Sequence, residues 1–324
     1  MKKKIAVIRG GPSSEYDVSM KTGRSVIDEL SKKHHIIDIV VDKKGSWICA
    51  GREVTPEKAC IGSDCVFNAM HGEYGEDGQV QKVLESIGVP FTGPQKIAAA
   101  VSINKKITKE IYKKFGIKTP MHRTIKRGAS DIHNQAIDIF KNFPMPIVIK
   151  PIGLGSSVGV SIVRDYKSLL ETLISLFIRF DELLIEEYIP GREATVGVID
   201  NFRNQRIYAM LPIEIKISRE NNFFDYDAKY SGKTEEICPG NFDNDEKREL
   251  QELAIMAHDY LGLRHYSRTD FIINPRRGIY VLETNSLPGL TKESLFPKSL
   301  PPIGSNYSEF LDHIIDLATN SRIR

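Results

Sequence analysis

The sequence predicts a chain of mixed α/β and α+β class, built as three units with an open parallel α/β domain at the N-terminus. Three observations lead to this prediction. The chain has 324 residues, more than one hydrophobic core usually serves. Its first part alternates strand and helix signals, which is typical of a parallel sheet. The later part carries β-rich segments and isolated helices, which indicates α+β units.

The N-terminal α/β unit is predicted to span residues 1–94. Its first strand leads into the glycine pair Gly10-Gly11, and the unit closes at the turn Thr92-Gly93-Pro94. The predicted elements are a strand at 5–8, a helix at 17–33, strands at 36–41 and 66–70, and a helix at 78–87.

The central α+β unit is predicted to span residues 95–187. It begins with one long helix at 95–115, because Ala98, Val101, Ile107 and Ile111 recur at helical spacing and Gly116 can end the helix. The remaining predicted elements are a helix at 131–141, a strand at 146–150, a glycine-serine loop at 153–157, a strand at 158–163, a helix at 166–179 and a strand at 183–187.

The C-terminal α+β unit is predicted to span residues 188–324. A polar stretch at 218–241 has little hydrophobic period, so it is interpreted as a mobile functional loop or a poorly ordered linker. Around it lie β-rich segments at 194–199 and 206–217, a helix at 245–261, strands at 269–273 and 279–283, a Pro-Gly turn and a helix at 307–318.

Composition and charge narrow the class of protein. Hydrophobic residues make up 41% and charged residues 27%, as in an ordinary globular protein. The net charge of +3 is small for this length and argues little for nucleic acid as a partner. We expect a cytoplasmic protein without a membrane segment, because no run approaches the roughly 18 apolar residues of a membrane helix. The four cysteines form no CxxC pair, so reduced thiols are expected rather than a metal site.

A glycine-serine loop is the first motif that carries chemistry. Residues 149–159 read Ile-Lys-Pro-Ile-Gly-Leu-Gly-Ser-Ser-Val-Gly and lie between two strand patterns. That context disfavours a Walker loop, which opens a helix, and suits a hairpin flap. Small residues let backbone N–H groups approach phosphate oxygens, and Lys150 can add a positive charge. The alternative is a flexible hairpin turn without a ligand.

Acids on two successive strands form the second motif. Asp270 follows Arg268-Thr269, and Glu283 is followed by Thr284 and Asn285 on the next strand. Two carboxylates and an amide on one side of a sheet are suitable ligands for Mg²⁺ beside nucleotide phosphates. Both acids lie in apolar segments, where a carboxylate needs a cation or strong donors. The alternative is a salt-bridged pair with Arg268.

The segment 184–193 is the third motif. An apolar strand runs into Glu186 and Glu187 and then into a Pro-Gly turn. Such an edge offers backbone groups to an adenine ring and a carboxylate to ribose hydroxyls. Taken alone, it also fits an ordinary strand followed by a solvated turn.

Together these motifs resemble the ATP-grasp superfamily, and a set of further motifs narrows the resemblance to the D-alanine–D-alanine ligase family. The resemblance covers nearly the whole chain. The motifs, in chain order, are Gly-Gly-Pro-Ser-Ser-Glu at 10–15, His-Gly-Glu-Tyr-Gly-Glu-Asp-Gly at 71–78, Phe-Thr-Gly at 91–93, Tyr-Asp-Ala-Lys-Tyr at 226–230 and Glu-Thr-Asn-Ser-Leu-Pro-Gly-Leu-Thr at 283–291.

The resemblance implies a role for each matching residue. Glu15 would bind the ammonium of the first amino acid, assisted by His71, and would form a triad with Ser156 and Tyr230 that closes the 218–241 loop. Arg268 and the N–H of Gly289 would stabilise the oxyanion. Substrates would contact Val18, Ser294 and Leu295. The nucleotide would contact Lys105, Lys150, Ser157, Glu186, Glu187, Tyr188, Ile189, Glu193 and Lys229, and the metal ligands would be Asp270, Glu283 and Asn285.

The resemblance also implies a reaction and its cofactors. ATP would convert D-alanine to an acyl phosphate, and the amine of a second D-alanine would attack it to give D-alanyl-D-alanine, a peptidoglycan precursor. Two Mg²⁺ ions are expected, Mn²⁺ and a monovalent cation are further candidates, and relatives predict a homodimer. Two alternatives stay open: an ATP-grasp ligase with D-lactate or other amino acids as substrates, and a nucleotide-binding module without catalysis.

Overall fold

The computed structural model describes residues 2–155, 159–217 and 234–320. The N-terminal sheet is partly parallel, with strand order β4-β3-β2-β1-β5. Strand β1 pairs in parallel with β2 and β5, as predicted, whereas the short strands β3 and β4 pair antiparallel and were not predicted. The elements are β1 (Lys4–Gly10), α1 (Tyr16–Leu30), β2 (His35–Val41), β3 (Trp47–Cys49), β4 (Arg52–Val54), α2 (Pro56–Cys60), β5 (Cys65–Asn68) and α3 (Gln79–Ile87).

The central part contains an antiparallel four-stranded sheet with order β6-β9-β7-β8. Two helices pack their apolar sides on this sheet and share one core with it. Its elements are α4 (Lys96–Ile103), α5 (Lys105–Lys114), β6 (His122–Lys126), α6 (Ile132–Asn142), β7 (Ile147–Pro151), β8 (Ser161–Val163), α7 (Tyr166–Arg179) and β9 (Glu182–Glu187).

The prediction of one helix at 95–115 is wrong, because the chain breaks into α4 and α5 at Asn104. This residue has an extended backbone with φ −85° and ψ 95°, and its side chain accepts a hydrogen bond from the N–H of Ile107. Asparagine is a strong N-cap residue, so it starts a second helix where the apolar spacing alone suggested continuation. Lys105 is therefore the first residue of α5.

The C-terminal sheet is antiparallel, with order β13-β12-β10-β14-β15 and with β11 paired to β10. None of the helices in the described part of the chain is both long and apolar enough to cross a membrane. The elements are β10 (Arg192–Phe202), β11 (Gln205–Ala209), β12 (Ile213–Ile217), β13 (Thr234–Ile237), α8 (Asn244–Tyr260), β14 (Tyr266–Asn274), β15 (Gly278–Asn285), α9 (Leu295–Lys298), a 3₁₀ turn (Pro301–Ile303) and α10 (Tyr307–Asn320).

The two faces of the N-terminal sheet pack on different partners, because alternate residues of β1 point to opposite sides. Ala6 and Ile8 belong to a core that includes α3. Ile5 and Val7 belong to a second core that includes Phe310, Leu311 and Ile314 of α10 at the other end of the chain. The C-terminal helix thus covers one face of the N-terminal sheet.

Candidate active site

Four polar side chains lie on one face of the C-terminal sheet. The register pairs Asp270 with Glu283 and Arg268 with Asn285 on neighbouring strands, and residues two apart on a strand share a face. Arg268 donates to both carboxylate oxygens of Asp270, each at 2.9 Å. Asn285 Nδ2 donates to Asp270 Oδ2 at 3.0 Å. The structure therefore brings together the acids and the amide that the sequence predicted to be neighbours.

A lysine approaches this cluster from the start of α5. Lys105 Nζ lies 3.4 Å from Glu283 Oε2 and donates to the carbonyl oxygen of Leu154 at 2.5 Å. Leu154 and Gly155 belong to the glycine-serine loop, and they line a small cavity together with Lys105, Glu283 and Asn285. The ammonium group of Lys105 therefore links the loop to Glu283 of β15.

Glu186 lies between two buried lysines on the other side of this cluster. Its Oε2 is 2.5 Å from Lys150 Nζ, and its Oε1 is 2.5 Å from Lys109 Nζ. Burial alone would raise the pKa of Glu186, but the two lysines outweigh burial and lower it. Burial also acts against the charge on Lys150, where Glu186 and Glu283 outweigh it and raise the pKa. The carboxylate of Glu186 is therefore ionised between two cations.

The residues after Glu186 have distinct environments. The carboxylate of Glu187 accepts two hydrogen bonds from Arg277, each at 3.0 Å, and one from the N–H of Met121 at 2.9 Å. Ile189 is buried in a small apolar cluster with Ile272 and Tyr280, Tyr188 is partly buried, and Glu193 lies on β10. The side chain of Glu187 is thus held by protein groups, and its backbone N–H donates to the carbonyl oxygen of Met121 at 2.9 Å.

An acidic group and a histidine stand at the edge of the N-terminal sheet. Glu15 precedes α1, and its Oε1 would lie only 2.8 Å from a Cβ at Gly155, so the loop packs directly on this carboxylate. His71 Nε2 is 2.8 Å from Thr22 Oγ1, and its Nδ1 is 3.3 Å from Glu76 Oε1. Burial opposes the imidazolium, but Glu76 and nearby Glu15 outweigh it and raise the pKa of His71.

Glu15 and His71 face one cavity of about 1160 Å³ together with residues of the C-terminal sheet. Ser294 Oγ is 2.9 Å from Thr291 Oγ1 and would lie 2.9 Å from a Cβ at Gly289, so glycine permits this close approach. The volume exceeds that of two small amino acids and leaves room for further groups. Predicted site residues that line the cavity are Glu15, Val18, His71, Arg268, Glu283, Asn285, Gly289, Ser294 and Leu295.

Some predicted site residues lie outside the described part of the chain, namely Ser156, Ser157, Lys229 and Tyr230. A second group consists of residues that the structure places at the site but that were not predicted. The second group is Lys109, Glu76, Thr22 and Thr195, the last of which donates to Asp270 at 2.6 Å. Lys109 follows Lys105 by four residues and so shares its helix face, a spacing that could have suggested a common site.

Solved structures share this fold along nearly their whole length. The D-Ala:D-Ser ligase VanG from Enterococcus faecalis is 29% identical, with a TM-score of 0.84 over 98% of this chain and 100% of that one. The D-alanine–D-alanine ligase from Bacillus anthracis complexed with ATP is 31% identical, with a TM-score of 0.81 over 99% and 98%. The fold and the lysine- and acid-lined cleft define the molecule as an ATP-grasp ligase.

Sequence relatives and family models narrow this class. Residues 111–316 match the model described as the D-ala D-ala ligase C-terminus, and segments 4–59 and 50–94 match that of the N-terminus. The D-alanine–D-alanine ligase of Aquifex aeolicus is 35% identical over 316 residues, 96% of this chain and 99% of that protein. That of Moorella thermoacetica is 36% identical over 319 residues, 97% and 99% of the two chains. The chain belongs to the D-alanine–D-alanine ligase family.

Proposed function

We propose that the protein joins two D-alanine molecules at the expense of ATP, releasing D-alanyl-D-alanine, ADP and phosphate. The observation that carries this proposal is the meeting of two sets of residues in one cleft. Glu283, which lies 3.4 Å from Lys105, lines the same cavity as Glu15 and His71. The lysines beside the acids of β14 and β15 would bind the phosphates. Full-length relatives that are named D-alanine–D-alanine ligases support the choice of substrate.

The first step would activate a carboxylate. An oxygen of the D-alanine carboxylate attacks the γ-phosphorus of ATP, ADP leaves, and a mixed acyl phosphate forms. Lys105 and Lys150 would neutralise charge on the transferring phosphoryl group, as positioned cations do in phosphoryl transfer. The nucleotide would contact Glu186, the backbone of Glu187, Tyr188, Ile189 and Glu193, with Ser157 and Lys229 from the segments outside the described residues.

The second step would form the peptide bond. The free amine of the second D-alanine attacks the acyl carbon, the carbon–oxygen bond to phosphate breaks, and the extra proton on the nitrogen passes to the released phosphate. Arg268 and the N–H of Gly289 would stabilise the oxyanion. Glu15 and His71 would bind the first ammonium group, and Val18, Ser294 and Leu295 would contact the substrates. Ser156 and Tyr230 are proposed to exclude water through the loops that carry them.

Divalent cations fit the residues of β14 and β15. Two carboxylates and an amide, Asp270, Glu283 and Asn285, form an oxygen-rich donor set of the kind that Mg²⁺ prefers when phosphates complete its shell. No group of three or more His, Cys, Asp or Glu side chains suited to a metal occurs among the described residues, so phosphates would complete the site. Bound there, two Mg²⁺ or Mn²⁺ ions would neutralise phosphate charge.

A second acceptor is supported by one specific relative. The VanG structure, which covers 98% of this chain, is named a D-Ala:D-Ser ligase. D-serine and D-lactate differ from D-alanine by few atoms, and a pocket discriminates weakly between such near-isosteres unless it hydrogen-bonds the added group. The alternative function is therefore a ligase that takes a different hydroxy or amino acid as its second substrate.

Phosphate release and product mass test the proposal together. Purified protein would be incubated with ATP and Mg²⁺ and with D-alanine, L-alanine, D-serine or D-lactate in turn. We expect phosphate release with D-alanine alone and a product with the mass of D-alanyl-D-alanine. Phosphate release that does not depend on the added compound would contradict the proposal. A product that contains D-alanine joined to D-serine or D-lactate would support the alternative function.

Three further properties are proposed from the family. We place the reaction in the cytoplasm, where ATP is available, and we expect a homodimer, the commonest symmetric assembly. Activation by a monovalent cation is also proposed. Light scattering of the purified protein checks the dimer, and phosphate release in potassium or tetramethylammonium buffer checks the cation.

A further inference from the structure

Lys109 is a lysine whose side chain is completely buried. It lies on α5 with 0% of its side chain exposed. Three oxygen atoms from three segments surround its ammonium: it forms an ion pair with Glu186 Oε1 at 2.5 Å and donates to Thr119 Oγ1 at 2.6 Å and to the carbonyl oxygen of Leu282 at 3.3 Å. Removing an ammonium group from water is costly, so this lysine needs these partners to stay charged.

The three buried charges around Glu186 do not cancel. At pH 7, below the pKa of about 8 to which burial lowers Lys109, the two lysines contribute two positive charges and Glu186 contributes one negative charge, which leaves one positive charge. Each lysine binds a different oxygen of the carboxylate. If Lys109 were neutral or absent, Glu186 would neutralise Lys150 alone. The charge that Lys150 offers to a phosphate therefore depends on a lysine behind it.

Lys109 does not reach the cleft itself. The side chain of Lys109 is 0% exposed and that of Lys150 is 9% exposed, whereas Lys105, on the same helix as Lys109, lines the small cavity beside the glycine-serine loop. The burial of Lys109 leaves no surface for contact with a nucleotide. Any effect on ATP must therefore pass through Glu186 and Lys150.

We propose that Lys109 is a positioning residue for the nucleotide site: it holds Glu186 from behind and keeps Lys150 available to the phosphates of ATP. The inference rests on the proposed function, since it takes ATP as the ligand. It assigns Lys109 an electrostatic role that a residue buried only for packing would not have. Affinity for the charged nucleotide should depend on this lysine, and affinity for the uncharged nucleoside should not.

Calorimetric titration with ATP and with adenosine tests this inference. The Lys109→Met variant keeps the length of the side chain and removes its charge. We expect its Kd for ATP to rise about tenfold or more, since one buried charge facing a polyanion is lost, while its Kd for adenosine stays within about twofold. The matched control is Lys106→Met on the same helix, where the side chain is 45% exposed and both Kd values should match the wild type. Equal weakening for ATP and adenosine, or no weakening, would overturn the inference.

A double variant separates the effect of charge from the effect of packing. It also provides a second test if the single variant loses ATP affinity because it folds poorly. Lys109→Met combined with Glu186→Gln again leaves one positive charge, that of Lys150. We expect this protein to bind ATP more tightly than Lys109→Met alone, because coupled residues deviate from additivity. A double variant that binds no better than the single one would contradict the charge argument.

Failure of this inference differs from failure of the proposed function. If the wild type releases phosphate with D-alanine and Lys109→Met matches Lys106→Met in ATP affinity, only the role of Lys109 is overturned. If the wild type binds no ATP, both are overturned.

Discussion

At Asp270, hydrogen bonds from Thr195, Arg268 and Asn285 occupy both carboxylate oxygens. Such a carboxylate is fixed in orientation, and Glu283 opposes it in the register with Lys105 at 3.4 Å. Two acids side by side repel each other unless cations intervene. Arg268 offsets the negative charge of Asp270, and Lys105 offsets that of Glu283. Bound divalent cations would offset the same negative charges.

Glu283→Gln tests the role of this acid. Glutamine keeps the shape of the side chain and removes its charge, so ATP should still bind through the lysines. We expect kcat to fall at least about 100-fold, because metal ligands stabilise transition-state charge by several kcal/mol. Calorimetry and phosphate release provide the two measurements. The control is Glu252→Gln on the exposed side of α8. Turnover equal to that of the control would remove Glu283 from the site.

The positions of some site residues could be predicted from the sequence, and those of others could not. Asp270, Glu283 and Asn285 were predictable as neighbours because period-two alternation fixes the face of a strand residue. Lys109 was not, because a lysine within Lys-Lys-Ile-Thr-Lys reads as solvated. Its burial depends on β9 and β15, which are distant in sequence. Local patterns therefore find residues on regular strands and miss those buried by tertiary packing.

At the scale of elements, the break between α4 and α5 determines where Lys105 lies. The sequence pattern predicted the helical residues on both sides but not the interruption, because apolar spacing continues across it. The short strands β3 and β4 were also missed, since three residues are too few to show alternation. Helices with clear apolar faces, such as α1 and α8, were predicted within a few residues.

Asn104→Ala tests whether the N-cap of α5 positions Lys105 for ATP binding. Loss of the cap should lower the free energy of unfolding by about 1 kcal/mol. It should also raise the KM for ATP, because Lys105 is the next residue. Urea unfolding and phosphate release measure the two effects.

Asp243→Ala provides the matched comparison at the capping box of α8, away from the cavity. A similar loss of stability is expected there, with an unchanged KM. Equal KM values for both variants would show that the α5 cap acts on stability alone.

At the scale of the whole molecule, the N-terminal sheet depends on the C-terminal part of the chain. Arg264 donates to the carbonyl oxygens of Gly93 and Phe91, and the N–H of Gly93 donates to His265 Nδ1 at 3.1 Å. A Cβ at Gly93 would lie 2.6 Å from Leu287, two residues before Gly289. The junction therefore sets the position of Glu15 and His71 relative to Arg268 and Gly289.

A fragment of residues 1–94 tests this dependence. Without α10, Ile5 and Val7 would lose much of their core, and exposing such a face to water is unfavourable. We expect the fragment to lack cooperative thermal unfolding by circular dichroism. A sharp transition near that of the full chain would show that the N-terminal unit folds independently.

The buried side chain of His265 is expected to make the free energy of unfolding depend on pH. Burial lowers its pKa to about 3, whereas the unfolded chain binds a proton near pH 6.5. Its stabilising contribution is therefore full above pH 6.5 and is lost as pH falls toward 3, by up to about 1.4 kcal/mol per pH unit.

The measurement is urea unfolding of the wild type and of His265→Asn at several pH values between 7 and 4. Asparagine tolerates the left-handed backbone, with φ 71°, and does not titrate. The wild type should lose more stability than the variant as the solution is acidified. Parallel pH profiles would contradict a neutral buried histidine.

In the proposed reaction, phosphoryl transfer activates a carboxylate in the same cavity where an amine attacks it. D-alanine labelled with ¹⁸O in its carboxyl group tests this mechanism. Breakage of the carbon–oxygen bond leaves one carboxyl oxygen on the released phosphate, so mass spectrometry should find one ¹⁸O in each phosphate formed with the dipeptide. Phosphate without the label would mean that water attacked ATP, and it would contradict the acyl-phosphate account.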